Sequence, residues 1–256
     1  MSDGEVHFGI RDGVASVIFD RGEARNAMTF VMYEQLVEAC VAIASDSTVR
    51  VATFRGSSQA FAAGTDIREF LSFASAEDGI AYEQVVETVI AAIERLPMPT
   101  IAIVDGPAMG GGLLMAAVCD FRIATPAARF GVPIARTLGN CLSVANTARL
   151  IAAFGPARCK RLLLLADTIS AQEALSCGFV AEVVQGEAIE EAVRTMCSRL
   201  ASHAPISMRV AKESMRRLTG AVPEGDDLIR AAYESNDFKT RVRSFLAKQQ
   251  PEWTGR

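Results

Sequence analysis

The sequence predicts an α/β protein in which helices cover a sheet, and three features carry that expectation. Along the first fifty-odd residues the apolar period switches between two and about 3.6, in the order strand, strand, helix, strand. Thr100 to Val104 is almost wholly apolar and reads as a strand buried on both faces. At 256 residues, half of them apolar, the chain can bury a substantial core as one domain, or one domain plus a small appendage.

The elements follow in order. Val6 to Ile10 and Val14 to Phe19 flank Asp12-Gly13, a dipeptide favoured in tight turns, and predict a β-hairpin. After the polar stretch Asp20 to Ala27, apolar residues recur with helical spacing from Phe30 to Ile43, and Val49 to Phe54 is a strand. The small-residue loop Gln59 to Thr65 opens a short helix, with Asp66 and Glu69 spaced as a capping pair. A long amphipathic helix, Ala76 to Arg95, stops at Leu96-Pro97-Met98-Pro99, where proline forbids continuation. Beyond the strand Thr100 to Val104, Asp105 to Gly112 ends in three glycines that enter an apolar helix directly.

Those glycines are the first candidate site. They let the backbone approach a ligand with its N–H groups unobstructed, and the helix start adds unpaired donors and positive dipole, which suits an oxygen gaining negative charge. A tight strand-to-helix turn without a ligand is the competing reading. The Thr65 N–H, after Gly64, has the same potential.

Cys119 to Ala124 is a further strand, in which Asp120 and Arg122 are expected to be satisfied structural polar groups. Arg129 to Ser143 is a long turn-rich loop. Helices are expected near Ser143 to Phe154, Pro156 to Ala166 and Ser170 to Cys177, the last with a Ser170/Glu173 capping box, then a strand from Phe179 to Val184. The remainder reads as helical, so residues 1–190 form the α/β core and 191–256 a helical region packed on it or on another subunit.

Composition removes several function classes. A net charge of −4 and an isoelectric point near 5.4 argue against a nucleic-acid or anionic-membrane surface. The chain begins without the basic and apolar regions of a signal peptide, and no apolar run reaches ~18 residues, so a cytoplasmic protein without membrane contact is expected. Six scattered cysteines read as reduced, mostly buried thiols, and His7 and His203 lack metal-ligand spacing, so no metal site is expected. A nucleotide-phosphate site on the glycines is weak, since neither a Walker lysine nor G-x-G-x-x-G follows a strand.

Taken together, these segments resemble the crotonase (enoyl-CoA hydratase/isomerase) superfamily along nearly the whole chain. The resemblance rests on Arg25-Asn26-Ala27-Met28, Phe61 to Ile67, Pro107 to Gly112, Cys119 to Ala124, Ala128 to Pro133, Ser170 to Ala174, and the ending Asp237-Phe238-Lys239 with Gln249 to Trp253. It implies a spiral of ββα units, a C-terminal helical region that builds trimers or dimers of trimers, and an acyl-CoA thioester as substrate. Coenzyme A enters as part of the substrate, with no tightly bound cofactor. By position, the family's two oxyanion-hole amides are those of Thr65 and Gly111, and losing one such donor typically costs ~10²–10³ in rate. Arg25, Ala27, Ala63, Gly64, Asp66 and Ile67 carry over as contacts to coenzyme A, and Phe238 and Lys239 as contacts to a neighbouring subunit's ligand.

The chain also departs from the family. The two glutamates that handle water and its proton are replaced by Leu114 and Ile134, neither of which carries a proton to give. Hydration of an enoyl thioester needs both an acid and a base, each worth ~10²–10⁴-fold. Candidate substitutes are Asn140 and Ser143, with Arg136, Cys141 and Glu69 behind them. Each has a structural alternative, Ser143 as a helix N-cap and Asn140 as a turn residue among them. The expected activity is therefore enolate stabilisation on an acyl-CoA without the usual glutamate pair, as in decarboxylation, or hydrolysis with a donor from elsewhere. A non-catalytic acyl-CoA binder is the alternative.

Overall fold

The chain is seen in a computed structural model that describes residues 3–218, 254 and 255. Strands β1 (Glu5–Arg11) and β2 (Val14–Asp20) form the expected hairpin, its two-residue turn carried by the positive φ of Asp12 and Gly13. Thr29 caps α1 (Phe30–Ser45) by accepting the Met32 N–H, and β3 (Val51–Gly56) follows. Next come a 3₁₀ segment (Ile67–Ser72), α2 (Ala76–Glu94), β4 (Thr100–Val104), β5 (Pro107–Met109) and α3 (Gly111–Val118). The second half contains β6 (Phe121–Ala124), β7 (Arg129–Gly131), α4 (Ile134–Thr137), α5 (Val144–Leu164), β8 (Thr168–Ser170) and α6 (Ala171–Ser176). It continues through β9 (Glu182–Val183), α7 (Ile189–Ala201) and α8 (Pro205–Leu218).

The main sheet runs β1-β2-β3-β4-β6-β9, antiparallel only at the hairpin, and a smaller sheet runs β5-β7-β8. All five residues of β4 are buried, as their apolar run predicts, because helices cover both faces. Ile101 and Ile103 join Ile189, Val193, Cys197 and Leu200 of α7, while Ala102 and Val104 join the larger core with α1, α2 and α3. Position 191, where the sequence places the start of a C-terminal region, lies within α7, whose apolar stripe packs on the sheet.

Asp120 and Arg122 are structural, as expected. Asp120 accepts from the Thr100 N–H and from Lys212 Nζ, both at 2.7 Å. Arg122 spreads its guanidinium over the carbonyls of Ala116, Ala117, Cys119 and Phe179.

Four local expectations are corrected. The strand Phe179 to Val184 shrinks to Glu182–Val183, because the Phe179 and Val180 N–H groups close the end of α6 on the Ala174 carbonyl. The long loop Arg129 to Ser143 holds β7 and the single turn α4. The Ser170/Glu173 box is half formed: Ser170 Oγ accepts the Glu173 N–H, but the Glu173 carboxylate turns to Arg158 and Arg161. The Asp66/Glu69 pair is likewise half formed, since Asp66 accepts the Arg68 N–H while Glu69 Oε1 accepts from the Phe30 N–H at 3.4 Å. In both cases a cation or a distant amide outcompetes the local cap. The full capping box lies at Ser75 and Asp78, which open α2.

Candidate functional site

Two extended segments meet edge to edge and create the site. The Phe61 N–H donates to the Pro107 carbonyl and the Met109 N–H to the Ala62 carbonyl, both at 2.9 Å, so the loop before Asp66 runs parallel to β5. Two glycines permit this closeness. Gly110 takes φ 51° and ψ −119°, outside the range of residues with a Cβ, and a Cβ on Gly112 would lie 2.2 Å from the Ala62 carbonyl oxygen. The Thr65 N–H and the Gly111 N–H then lie on abutting backbones, and neither has a hydrogen-bond acceptor among the described residues.

The Arg25 to Met28 segment is laced to the same loop. The Ala63 N–H donates to the Arg25 carbonyl, the Met28 N–H to the Gly64 carbonyl, and the Asp66 N–H to the Met28 carbonyl. All six described residues assigned to coenzyme A therefore share one surface ridge. Arg25 and Ile67 are exposed there, Ala27, Ala63 and Asp66 half-buried, and Gly64 buried. Asn26 fastens the ridge from beneath, accepting from the Arg21 N–H and donating to the Ala60 carbonyl. Phe238 and Lys239 lie outside the described residues.

Asp66 is more than a cap. Its carboxylate pairs with the buried Arg21 at 2.8 Å and with the exposed Arg68 at 2.5 Å. The Arg68 guanidinium, the Arg68 N–H and Arg21 together hold its carboxyl well below the usual carboxylate range, against the opposing effect of burial.

Side chains missed in the sequence reading form the other wall. Tyr33 Oη lies 2.8 Å from Thr65 Oγ1, and Thr65 Oγ1 lies 2.6 Å from Tyr82 Oη. Tyr33 is wholly buried, and its hydroxyl lies beside Gly111, 2.9 Å from the position a Cβ there would take. Burial raises the Tyr33 pKa, and burial pushes that of Tyr82 up to about 12, so both stay protonated at neutral pH. Tyr33 and Tyr82 occur on helical stripes that read as core, and only their hydroxyls signal otherwise.

Tyr82 also lines a cavity of about 680 Å³ with Phe70, Phe73, Ile80, Leu138 and Glu83. Asn140, Cys141 and Ser143 line it as well. Ser143 caps α5 by accepting the Asn146 N–H, and its own N–H donates to Glu83 Oε2 at 2.8 Å. Burial raises the Glu83 pKa against the pull of that N–H. Asn140 and Ser143 thus line the cavity, with Arg136 exposed at the end of α4. Leu114 is fully buried in the apolar core, and Ile134 is half-buried against it. Among the described residues no three His, Cys, Asp or Glu side chains are grouped to hold a metal, and no helix is long and apolar enough to cross a membrane.

Comparison with known proteins agrees with this architecture. Residues 9–256 match the family described as enoyl-CoA hydratase/isomerase. The crotonyl-CoA hydratase of Syntrophomonas wolfei is 32% identical over 242 residues, covering 92% of both chains. The 2,3-dehydroadipyl-CoA hydratase of Escherichia coli is 29% identical over 248 residues, covering 95% of this chain and 96% of that one. Among solved structures, an enoyl-CoA hydratase/carnithine racemase from Magnetospirillum magneticum superposes with a TM-score of 0.91 at 30% identity, covering 98% of this chain and 96% of that one. With its parallel sheet, its abutting glycine loops and this match over almost its full length, the chain belongs to the enoyl-CoA hydratase/isomerase family.

Proposed function

We propose that the protein acts on an acyl-CoA thioester, holding the thioester oxygen between the Thr65 and Gly111 N–H groups as the acyl group passes through an enolate. The observation that carries this is the pair of amides on two abutting backbones that have no acceptor among the described residues. Preorganised donors of this kind cost no reorganisation when charge develops, which is why they accelerate the reaction. The ridge of Arg25, Ala27 and Ala63 to Ile67 is read as the seat of coenzyme A. Assembly into a homotrimer or a dimer of trimers, in the cytoplasm, belongs to the same reading.

Ordinary hydration is not the reaction we assign, because Leu114 and Ile134 stand at the positions from which the family's glutamates would act. Chemistry that generates the enolate without a base, such as loss of carbon dioxide from a malonyl-type thioester, fits these residues better. The test is an assay of purified protein on crotonyl-CoA and malonyl-CoA. Slow or absent hydration with measurable acetyl-CoA formation is expected, and crotonyl-CoA turnover at ordinary enzyme rates, ~1–10³ s⁻¹, overturns the assignment. Tight thioester binding without turnover of either would favour the non-catalytic binder.

A further inference from the structure

A chain of three hydroxyls lies beside the two amides. The three hydroxyls of Tyr33, Thr65 and Tyr82 make two hydrogen bonds to one another, at 2.8 and 2.6 Å. Three O–H groups supply three protons and two bonds use two, so one donor is always left over. When Tyr33 donates to Thr65 and Thr65 to Tyr82, the spare proton sits on Tyr82, which lines the cavity. The chain is anchored at its other end, where Tyr33 Oη is fixed beside Gly111.

Tyr82 is also held still. The ring of Phe70 meets it edge to face at 4.9 Å, and Phe73 lies 6.1 Å away. Thr65 links the two functions, because its N–H is one of the two free amides and its Oγ1 is the centre of the hydroxyl chain. Tyr82 Oη is therefore bonded to the side chain of the residue whose own N–H is assigned to the thioester oxygen.

We propose that Tyr82 is the catalytic acid that protonates the α-carbon of the enolate, with Thr65 and Tyr33 as positioning residues that supply its hydrogen bonds. This rests on the enolate reading above. With a malonyl-type thioester, the bond to the carboxylate breaks, carbon dioxide leaves, and the electron pair stays on the thioester as the enolate. That pair then forms the new C–H bond with the Tyr82 proton, and the phenolate, stabilised by a hydrogen bond from Thr65, regains a proton from water. One water proton is consumed and one hydroxide released per turnover, and no oxidant or reductant is needed.

The experiment compares wild type with Tyr82→Phe, Tyr33→Phe, Thr65→Val and Thr65→Ser, using malonyl-CoA as probe and following acetyl-CoA formation. Thr65→Val keeps the backbone N–H, so it separates the amide from the hydroxyl. Tyr82→Phe and Thr65→Val are each expected to lower kcat by ~10²-fold with KM unchanged, and Thr65→Ser to restore the rate. Combining Tyr33→Phe with Thr65→Val should cost no more than Thr65→Val alone, since the residues act as a unit. Turnover at the wild-type rate by Tyr82→Phe overturns the proposal and leaves the enolate reading standing. If wild type itself binds malonyl-CoA and releases no acetyl-CoA, the enolate reading falls and the proton donor with it.

Discussion

The site has two walls, built by different means. One is backbone: the Thr65 and Gly111 amides, the glycines between them, and the lacing of Ala63 to Asp66 onto Arg25 to Met28. The other is side chain: Tyr33, Tyr82 and Glu83 on two helices, with Ser143 at the rim. Donors made of backbone need every residue beneath them to fit, so damage there strikes folding and function together. Donors made of side chains can be removed singly from a standing fold.

The sharpest way to break the contrast is at Gly112. A Cβ there would sit 2.2 Å from the Ala62 carbonyl oxygen, which is itself fixed by the Met109 N–H. Gly112→Ala should therefore push β5 off its neighbour, destabilising the fold by ~3 kcal/mol or more and abolishing thioester turnover. Denaturant midpoints measured beside activity test this. A stable Gly112→Ala protein with full activity would show that the backbone wall tolerates movement.

Next in size is Asp66, which joins the backbone wall to buried Arg21 at 2.8 Å. Asp66→Asn removes the carboxylate charge that faces that guanidinium at 2.8 Å, and breaking such a buried pair costs ~3 kcal/mol. The sign with pH follows from the direction of the shift. The folded carboxyl is held below its unfolded value by Arg68 and Arg21. Its contribution is therefore complete above the unfolded pKa near ~4 and is lost as pH falls through the folded one. Wild type should lose stability on acidification more steeply than Asp66→Asn, as melting temperatures between pH 7 and 3 would show.

The two walls also differ in how far the sequence revealed them. Gly110, Gly111 and Gly112 point to backbone donors because glycine has few other reasons to appear three times at a helix start. The Thr65 loop was likewise legible from Ala63-Gly64-Thr65-Asp66. What places the two together is the parallel bridge of Ala62 to Ala108, a contact forty-six positions apart that no local pattern encodes. The side-chain wall was hidden for a second reason. Tyr33 and Tyr82 fall where a helix needs an apolar residue, so periodicity explains them before their hydroxyls are considered. Glu83 beside Tyr82 reads as an exposed helix position until the Ser143 N–H and the cavity enclose its carboxylate. The caps at Asp66 and Ser170 are half formed because Glu69 turns to the Phe30 N–H and Glu173 to Arg158 and Arg161, partners that no local pattern places.

The smallest effect on stability is expected at Glu83, where the side-chain wall can be altered most gently. Glu83→Gln keeps an oxygen for the Ser143 N–H and removes a charge that burial disfavours. A carboxyl whose folded pKa is raised weakens the fold as pH rises through its unfolded value, so the amide should match wild type below ~pH 4. At pH 7 it should be more stable, by under ~1 kcal/mol, because the group is only half-buried and partly screened. Melting curves at pH 4 and pH 7 would read the difference, and a Glu83→Gln protein less stable than wild type at pH 7 would mean that the carboxylate has a cationic partner on the cavity side. Set beside Gly112→Ala, this pair of measurements separates a wall that carries the fold from one that rests on it.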